Sequence, residues 1–100
     1  MELKLKIGEI ITEGNTVITI LDEAVFCYRV LSERNGKRGI RLISKSILEE
    51  FVNYVKQHPE AKASEVRMAL SGRSSNDKYE YGYDSTFLIL AKRVIERIKK

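Results

Sequence analysis

The chain has 100 residues, of which 43% are hydrophobic and 32% are charged, and its net charge is +4. This composition is typical of one globular domain and excludes a disordered, collagen-like or membrane-spanning chain. The longest apolar runs, such as Phe87 to Ala91, are far shorter than the roughly 20 residues that a bilayer requires. Because no signal-peptide pattern follows Met1, we expect a cytoplasmic protein.

Cysteine and histidine each occur once, as Cys27 and His58, which restricts the chemistry of the chain. A lone cysteine cannot form an intrachain disulfide, and a structural zinc site requires four Cys or His ligands. His58 directly precedes Pro59, where it suits the C-terminal end of a helix better than a catalytic site. Glycine-rich phosphate-binding motifs are absent. We therefore predict no enzyme activity, no cofactor and no metal; a small nuclease built from carboxylates is the weakest alternative.

The β-rich half of the predicted domain comprises residues 1–45, where hydrophobic and polar residues alternate in short segments. Gly14-Asn15 and Asn35-Gly36 interrupt them, and the second pair is the strongest hairpin signal because both positions tolerate a positive φ. Short strands at this spacing favour an antiparallel meander, with an SH3-like barrel as one form of it. The predicted strand segments are Leu3 to Ile11, Thr16 to Leu21, Val25 to Leu31 and Gly39 to Ile43.

The helical half comprises residues 46–100. A capping box formed by Ser46 and Glu49 marks the start of the first helix, and His58-Pro59 marks its end. Since no linker separates the two halves, we expect one α+β domain in which three helices pack on the sheet. The second predicted helix spans Ala63 to Ser71, and the third starts at Asp84 or Ser85.

One hydrophobic core should join the two halves, with the third helix packed on the first. Residues at strand or helix spacing on the apolar faces are its expected members. They are Phe26, Tyr28, Val30, Ile47, Phe51, Val55, Val66, Leu70, Phe87, Ala91 and Val94.

Positive charge is concentrated in two segments. Residues 29–45 carry six Lys or Arg against one acid, and residues 85–100 carry five against one. Clusters of this kind are typical of proteins that bind a phosphate backbone, but they also occur at solvated hairpin tips and helix C-termini. Phosphate binding predicts both clusters on one continuous face; clusters on opposite sides, or bases paired with Glu33 and Glu96, would contradict it.

Tyrosine recurs at every second position of the segment Tyr79 to Tyr83. In an extended loop the three rings would share one face, where they could stack on bases beside Arg73 and Lys78. The alternative is that the rings close one end of the core.

The stretch from Ile47 to Leu70 resembles a helix-turn-helix or winged-helix module. It contains a helix that ends in His58-Pro59, a turn of small residues, a short helix beginning Ala63-Ser64-Glu65-Val66, and an exit at Gly72. The resemblance covers residues 46–72 and 84–99. It implies that the next helix, from Ser85 to Arg93, enters the major groove of DNA.

Together these observations predict a non-enzymatic domain that binds nucleic acid, with duplex DNA as the expected partner and no membrane association. The alternative is a protein-interaction or assembly module, a homodimer included, that docks a partner on a strand edge or on the tyrosine segment. The predicted nucleic-acid contacts are Arg34, Lys37, Arg38 and Arg41 in the hairpin, Arg73, Lys78 and Tyr79 in the loop, and Lys92, Arg93 and Arg97 in the last helix.

Overall fold

A computed structural model describes residues 3–71 and 81–99, and the side chains of residues 3–70 and 85–99. It contains a four-stranded antiparallel sheet followed by three helices, which confirms the α+β prediction. No helix within these residues has both the length and the apolar character needed to cross a bilayer. The elements are β1 Ile10–Glu13, β2 Thr16–Glu23, β3 Cys27–Arg34, β4 Lys37–Ser44, α1 Lys45–Gln57, α2 Ala63–Ser71 and α3 Tyr81–Ile98.

The strands follow one another in the order β1-β2-β3-β4, so the sheet is a meander with β1 and β4 at its edges. Both predicted turns are confirmed, since Gly14 and Asn15 join β1 to β2, and Asn35 and Gly36 join β3 to β4. Asn35 has a φ of 51° and Gly36 a φ of 78°, the left-handed values that a two-residue hairpin turn of type I′ requires.

The helices cover one face of the sheet, here called the helix side, and leave the opposite face, the outer face, open. Ile18, Ile20 and Val30 of the helix side are completely buried. α1 contributes Phe51, whose ring stacks on Phe87 of α3 at a centroid distance of 5.2 Å. This aromatic contact joins the two helices above the sheet, so the core is a single layer between sheet and helices.

Most of the predicted core is confirmed, including Tyr28, Phe51 and Phe87, while Ile47 and Leu70 are only partly buried at its margin. The prediction for Phe26 is wrong, because its side chain is 83% exposed. β3 begins only at Cys27, and the backbone carbonyl of Phe26 accepts a hydrogen bond from the Lys45 amide at 2.9 Å. Phe26 therefore belongs to a turn, where the alternation of the strand does not apply.

The first residues bury apolar side chains without forming the predicted strand. Leu3 and Leu5 are buried, but Lys4 has a φ of 59°, which interrupts an extended chain. The alternation then fails at Ile7, whose side chain is 62% exposed. The first strand starts instead at Ile10.

Two predicted helix starts are also wrong. Ser44, and not Ser46, is the N-cap of α1: its Oγ accepts a hydrogen bond from the Ile47 amide at 3.4 Å. The chain passes directly from β4 into α1 at this residue, so the cap coincides with the strand end. α3 begins at Tyr81, before the predicted Asp84, because part of the expected polar loop is helical.

Two phenylalanines with opposite environments test this packing. We expect Phe51→Ala to lower the free energy of unfolding by about 3–5 kcal/mol, because it removes a buried ring that stacks on Phe87. Phe26→Ala should change it by less than about 0.5 kcal/mol, since that ring is already in water. Urea unfolding followed by circular dichroism measures both values. Similar losses for the two variants would contradict the assignment of the core.

Candidate nucleic-acid interface

The hairpin of β3 and β4 places three of the predicted cations on one face. Arg34 pairs with Lys37 across the two strands, and Val30 pairs with Arg41. Directly paired residues of an antiparallel sheet point to the same side, and Val30 lies in the core. Arg34, Lys37 and Arg41 therefore belong to the helix side: Arg34 and Lys37 lie at the hairpin end of the sheet, and Arg41 lies partly buried beside Val30 at the margin of the core.

These cations border a concave surface that encloses a cavity of about 440 Å³. The cavity lies between the hairpin and the N-terminal part of α3, which contributes Ser85. Arg34 and Lys37 are exposed, and no carboxylate of the described residues lies within ion-pair distance of either. None of the described residues that line the surface is acidic. These residues are Thr16, Ser32, Arg34, Asn35, Lys37, Arg38, Gly39, Arg41 and Ser85. The surface thus combines positive charge with hydroxyl and amide donors.

Arg38 pairs with Glu33 across the hairpin and therefore belongs to the outer face. Its guanidinium lies 3.3 Å from a Glu33 carboxylate oxygen, and its side chain is 73% exposed. An ion pair this exposed contributes little to stability, so Arg38 can exchange Glu33 for another anion.

The bases of α3 do not extend the hairpin's positive surface. Lys92 lies 3.7 Å from a Glu13 oxygen of β1, and Arg93 lies 3.8 Å from Glu96. The pairs of Arg38 with Glu33 and of Arg93 with Glu96 are an outcome that the sequence analysis named as contradicting phosphate binding. These two pairs therefore count against phosphate binding by Arg38 and Arg93, whereas Arg34 and Lys37 are hairpin cations that pair with no carboxylate of the described residues.

Arg97 has a structural role that the sequence did not reveal. One guanidinium nitrogen donates to the backbone carbonyl of Lys4 at 2.6 Å and to a Glu9 carboxylate oxygen at 2.7 Å. The other nitrogen pairs with the second Glu9 oxygen. The side chain of Glu9 is only 11% exposed and that of Arg97 is 26% exposed. This bidentate contact holds the N-terminal segment against the end of α3.

The segment that the helix-turn-helix resemblance would place in the major groove is largely enclosed. Within Ser85 to Arg93, Thr86, Phe87, Leu90 and Ala91 are buried, and the other side chains are partly covered. Reading base edges with these residues would require exposure of the core. The resemblance stays a prediction, and the predicted contacts Arg73, Lys78 and Tyr79 lie outside the described residues.

The other residues that the sequence singled out have structural positions. His58 is the C-cap of α1, and its ring lies 4.3 Å from that of Tyr54. Cys27 is a free, half-buried thiol at the start of β3. Across the described part of the chain, no group of three or more His, Cys, Asp or Glu residues is arranged to hold a metal ion.

The outer face of the sheet is an apolar surface that the sequence analysis missed. Ile10 is 63% exposed, and Ile40 and Leu42 are each 58% exposed. The signal was present in β4, where Ile40, Leu42 and Ile43 do not follow a single alternation, so apolar side chains reach both faces.

Comparisons with family models, curated proteins and solved structures found no match to this chain.

The structural role of Arg97 can be separated from phosphate binding by mutation. We expect Arg97→Ala to lower the free energy of unfolding by about 1–3 kcal/mol, because it leaves the largely buried Glu9 carboxylate without its main partner. Arg93→Ala, which removes an exposed pair with Glu96, should cost less than about 0.5 kcal/mol. Urea unfolding measures both. Equal stability of the two variants would show that the Arg97–Glu9 contact does not hold the N-terminal segment.

Proposed function

We propose that this chain is a non-catalytic, cytoplasmic domain that binds the phosphate backbone of nucleic acid, duplex DNA in the first place, through the helix side of its β3–β4 hairpin. The observation that carries the proposal is the placement of Arg34, Lys37 and Arg41 on one face of the hairpin, around a concave surface without described acidic residues. Backbone phosphates are the polyanion that such a surface suits best.

The pairing register explains how the hairpin can follow a phosphate chain. Arg34 and Lys37 are direct neighbours across the strands, while Arg41 lies four residues farther along β4. Residues four apart in a strand are about 13 Å apart, which spans two steps between phosphates on one strand. The lining hydroxyls of Thr16, Ser32 and Ser85 add donors for phosphate oxygens. Contacts of this kind position nucleic acid without reading its bases.

A second function is supported by a separate observation, the exposed apolar outer face. The sequence analysis placed a protein partner on a strand edge or on the tyrosine segment. Ile10, Ile40 and Leu42 provide a surface of different character, suited to another folded protein surface. Arg34, Lys37 and Arg41 lie on the opposite side of the sheet from this apolar surface, so phosphate binding by these three residues does not compete with a protein partner.

Binding of a duplex at several salt concentrations tests the nucleic-acid proposal. With about three phosphate contacts, the logarithm of the association constant should fall with log salt at a slope of roughly −3. Arg34→Glu and Lys37→Glu should each weaken binding of all sequences by roughly tenfold or more and flatten the slope by about one. Fluorescence anisotropy with a labelled duplex measures both quantities.

Lys99→Glu is the matched control, because it changes the net charge by the same amount. Lys99 is exposed and lies about 20 Å from Ser85 along the axis of α3. This variant should leave the slope unchanged. Equal weakening by Lys99→Glu would indicate attraction by net charge alone, and a folded chain that binds no duplex at about 50 mM salt would contradict the proposal.

A further inference from the structure

The outer face of the sheet has a charge layout that complements itself. A row of uncharged residues, Ile10, Thr19, Leu31 and Ile40, crosses all four strands in register. Val17 and Leu42 belong to the same face on either side of this row. No helix of the described residues packs on it, since the helical side chains of the core all meet the opposite face.

Along the strand direction, an ion pair lies on each side of this row. Toward the hairpin tip, Arg38 lies 3.3 Å from Glu33; at the other end, Arg29 lies 2.5 Å from Asp22. The hydrogen bond and charge of Asp22 raise the pKa of the Arg29 guanidinium. Each of these two ends of the outer face carries one positive and one negative charge. The outer face is therefore neutral, although the chain has a net charge of +4. A second copy of this basic chain can therefore approach this face without net repulsion.

The central strand β3 shows how two copies would fit. Its outward residues are Cys27, Arg29, Leu31 and Glu33, so the apolar Leu31 stands midway between the opposite charges of Arg29 and Glu33. In a symmetric dimer, two such sheets would face each other with a two-fold axis midway between them. The axis passes beside Leu31 and runs perpendicular to the strands. This rotation places Arg29 of each copy over Glu33 of the other and brings the two Leu31 side chains together.

We propose that the outer face binds a second copy of this chain, in a two-fold symmetric sheet-on-sheet dimer centred on Leu31. Facing sheets pack about 10 Å apart, a gap that long Arg and Glu side chains can bridge. The five apolar side chains of the face form its centre, and a standard interface buries about 800 Å² on each partner, with an apolar centre and a polar rim. The four charged residues at the two ends supply that rim.

The dimer leaves the cationic hairpin surface accessible, because that surface lies on the helix side of each copy. Self-association and nucleic-acid binding can therefore succeed or fail independently. The two cationic surfaces of a dimer would face away from each other, so one dimer could contact two nucleic-acid segments.

Charge reversal on β3 tests the symmetric arrangement. Arg29→Glu alone places Glu over Glu33 of its partner copy, and Glu33→Arg alone places Arg over Arg29. We expect each variant to dissociate at least tenfold more readily than the unchanged chain. An equimolar mixture of the two variants should regain the dimer, because each contact in the mixed pair joins opposite charges. Sedimentation equilibrium measures the masses, and circular dichroism confirms that each variant is folded.

Apolar variants provide the controls. Ile40→Thr, which retains a β-branched residue suited to a strand, should weaken the dimer, whereas Met68→Glu should not, since Met68 is 56% exposed on α2. An unchanged chain that stays monomeric at about 1 mM would overturn the proposal. A dimer that survives both single charge reversals, or a mixture that stays monomeric, would overturn the two-fold arrangement about Leu31.

Discussion

A four-stranded sheet has two faces, and the three helices of this chain cover one of them. The packing of α1 and α3 on the helix side, joined by the stacked rings of Phe51 and Phe87, determines where every other feature lies. It buries Ile18, Ile20 and Val30, while it leaves Ile10, Ile40 and Leu42 in water on the other side. It also ends short of the hairpin tip, so the last residues of β3 and the first residues of β4 extend past the apolar core.

The two exposed surfaces differ in chemistry because they occupy different parts of this sheet. On the helix side, Arg34 and Lys37 border an open concave surface. On the outer face, each charge is matched by an opposite charge on the neighbouring strand, and apolar residues lie between. The first arrangement favours binding of a polyanion. The second favours contact with an uncharged protein surface. Alternation along two adjacent strands thus gives one hairpin two surfaces of different chemistry.

Local sequence signals were sufficient for much of this fold. Asn35-Gly36 fixed the hairpin, because few residues other than these adopt two successive positive φ values. The apolar stripe of α1 indicated the burial of Phe51 and Val55. The sequence was less informative about where strands begin and end. Phe26 continues the alternation of β3 in sequence but lies outside the strand. Ser44 serves as both the last residue of β4 and the N-cap of α1.

The candidate site was harder to predict, because its charges are decided by contacts between distant parts of the chain. Arg97 and Glu9 are 88 residues apart in the sequence, and nothing near either residue indicates that they pair. The hairpin cations, by contrast, follow from the register of a short turn. The most direct test of the hairpin as the binding surface is to follow backbone amide chemical shifts by NMR while a short duplex is added. The account predicts that the largest changes occur in residues 32–41 and at Ser85. Changes confined to residues 92–97, or no change in the hairpin at saturation, would contradict it.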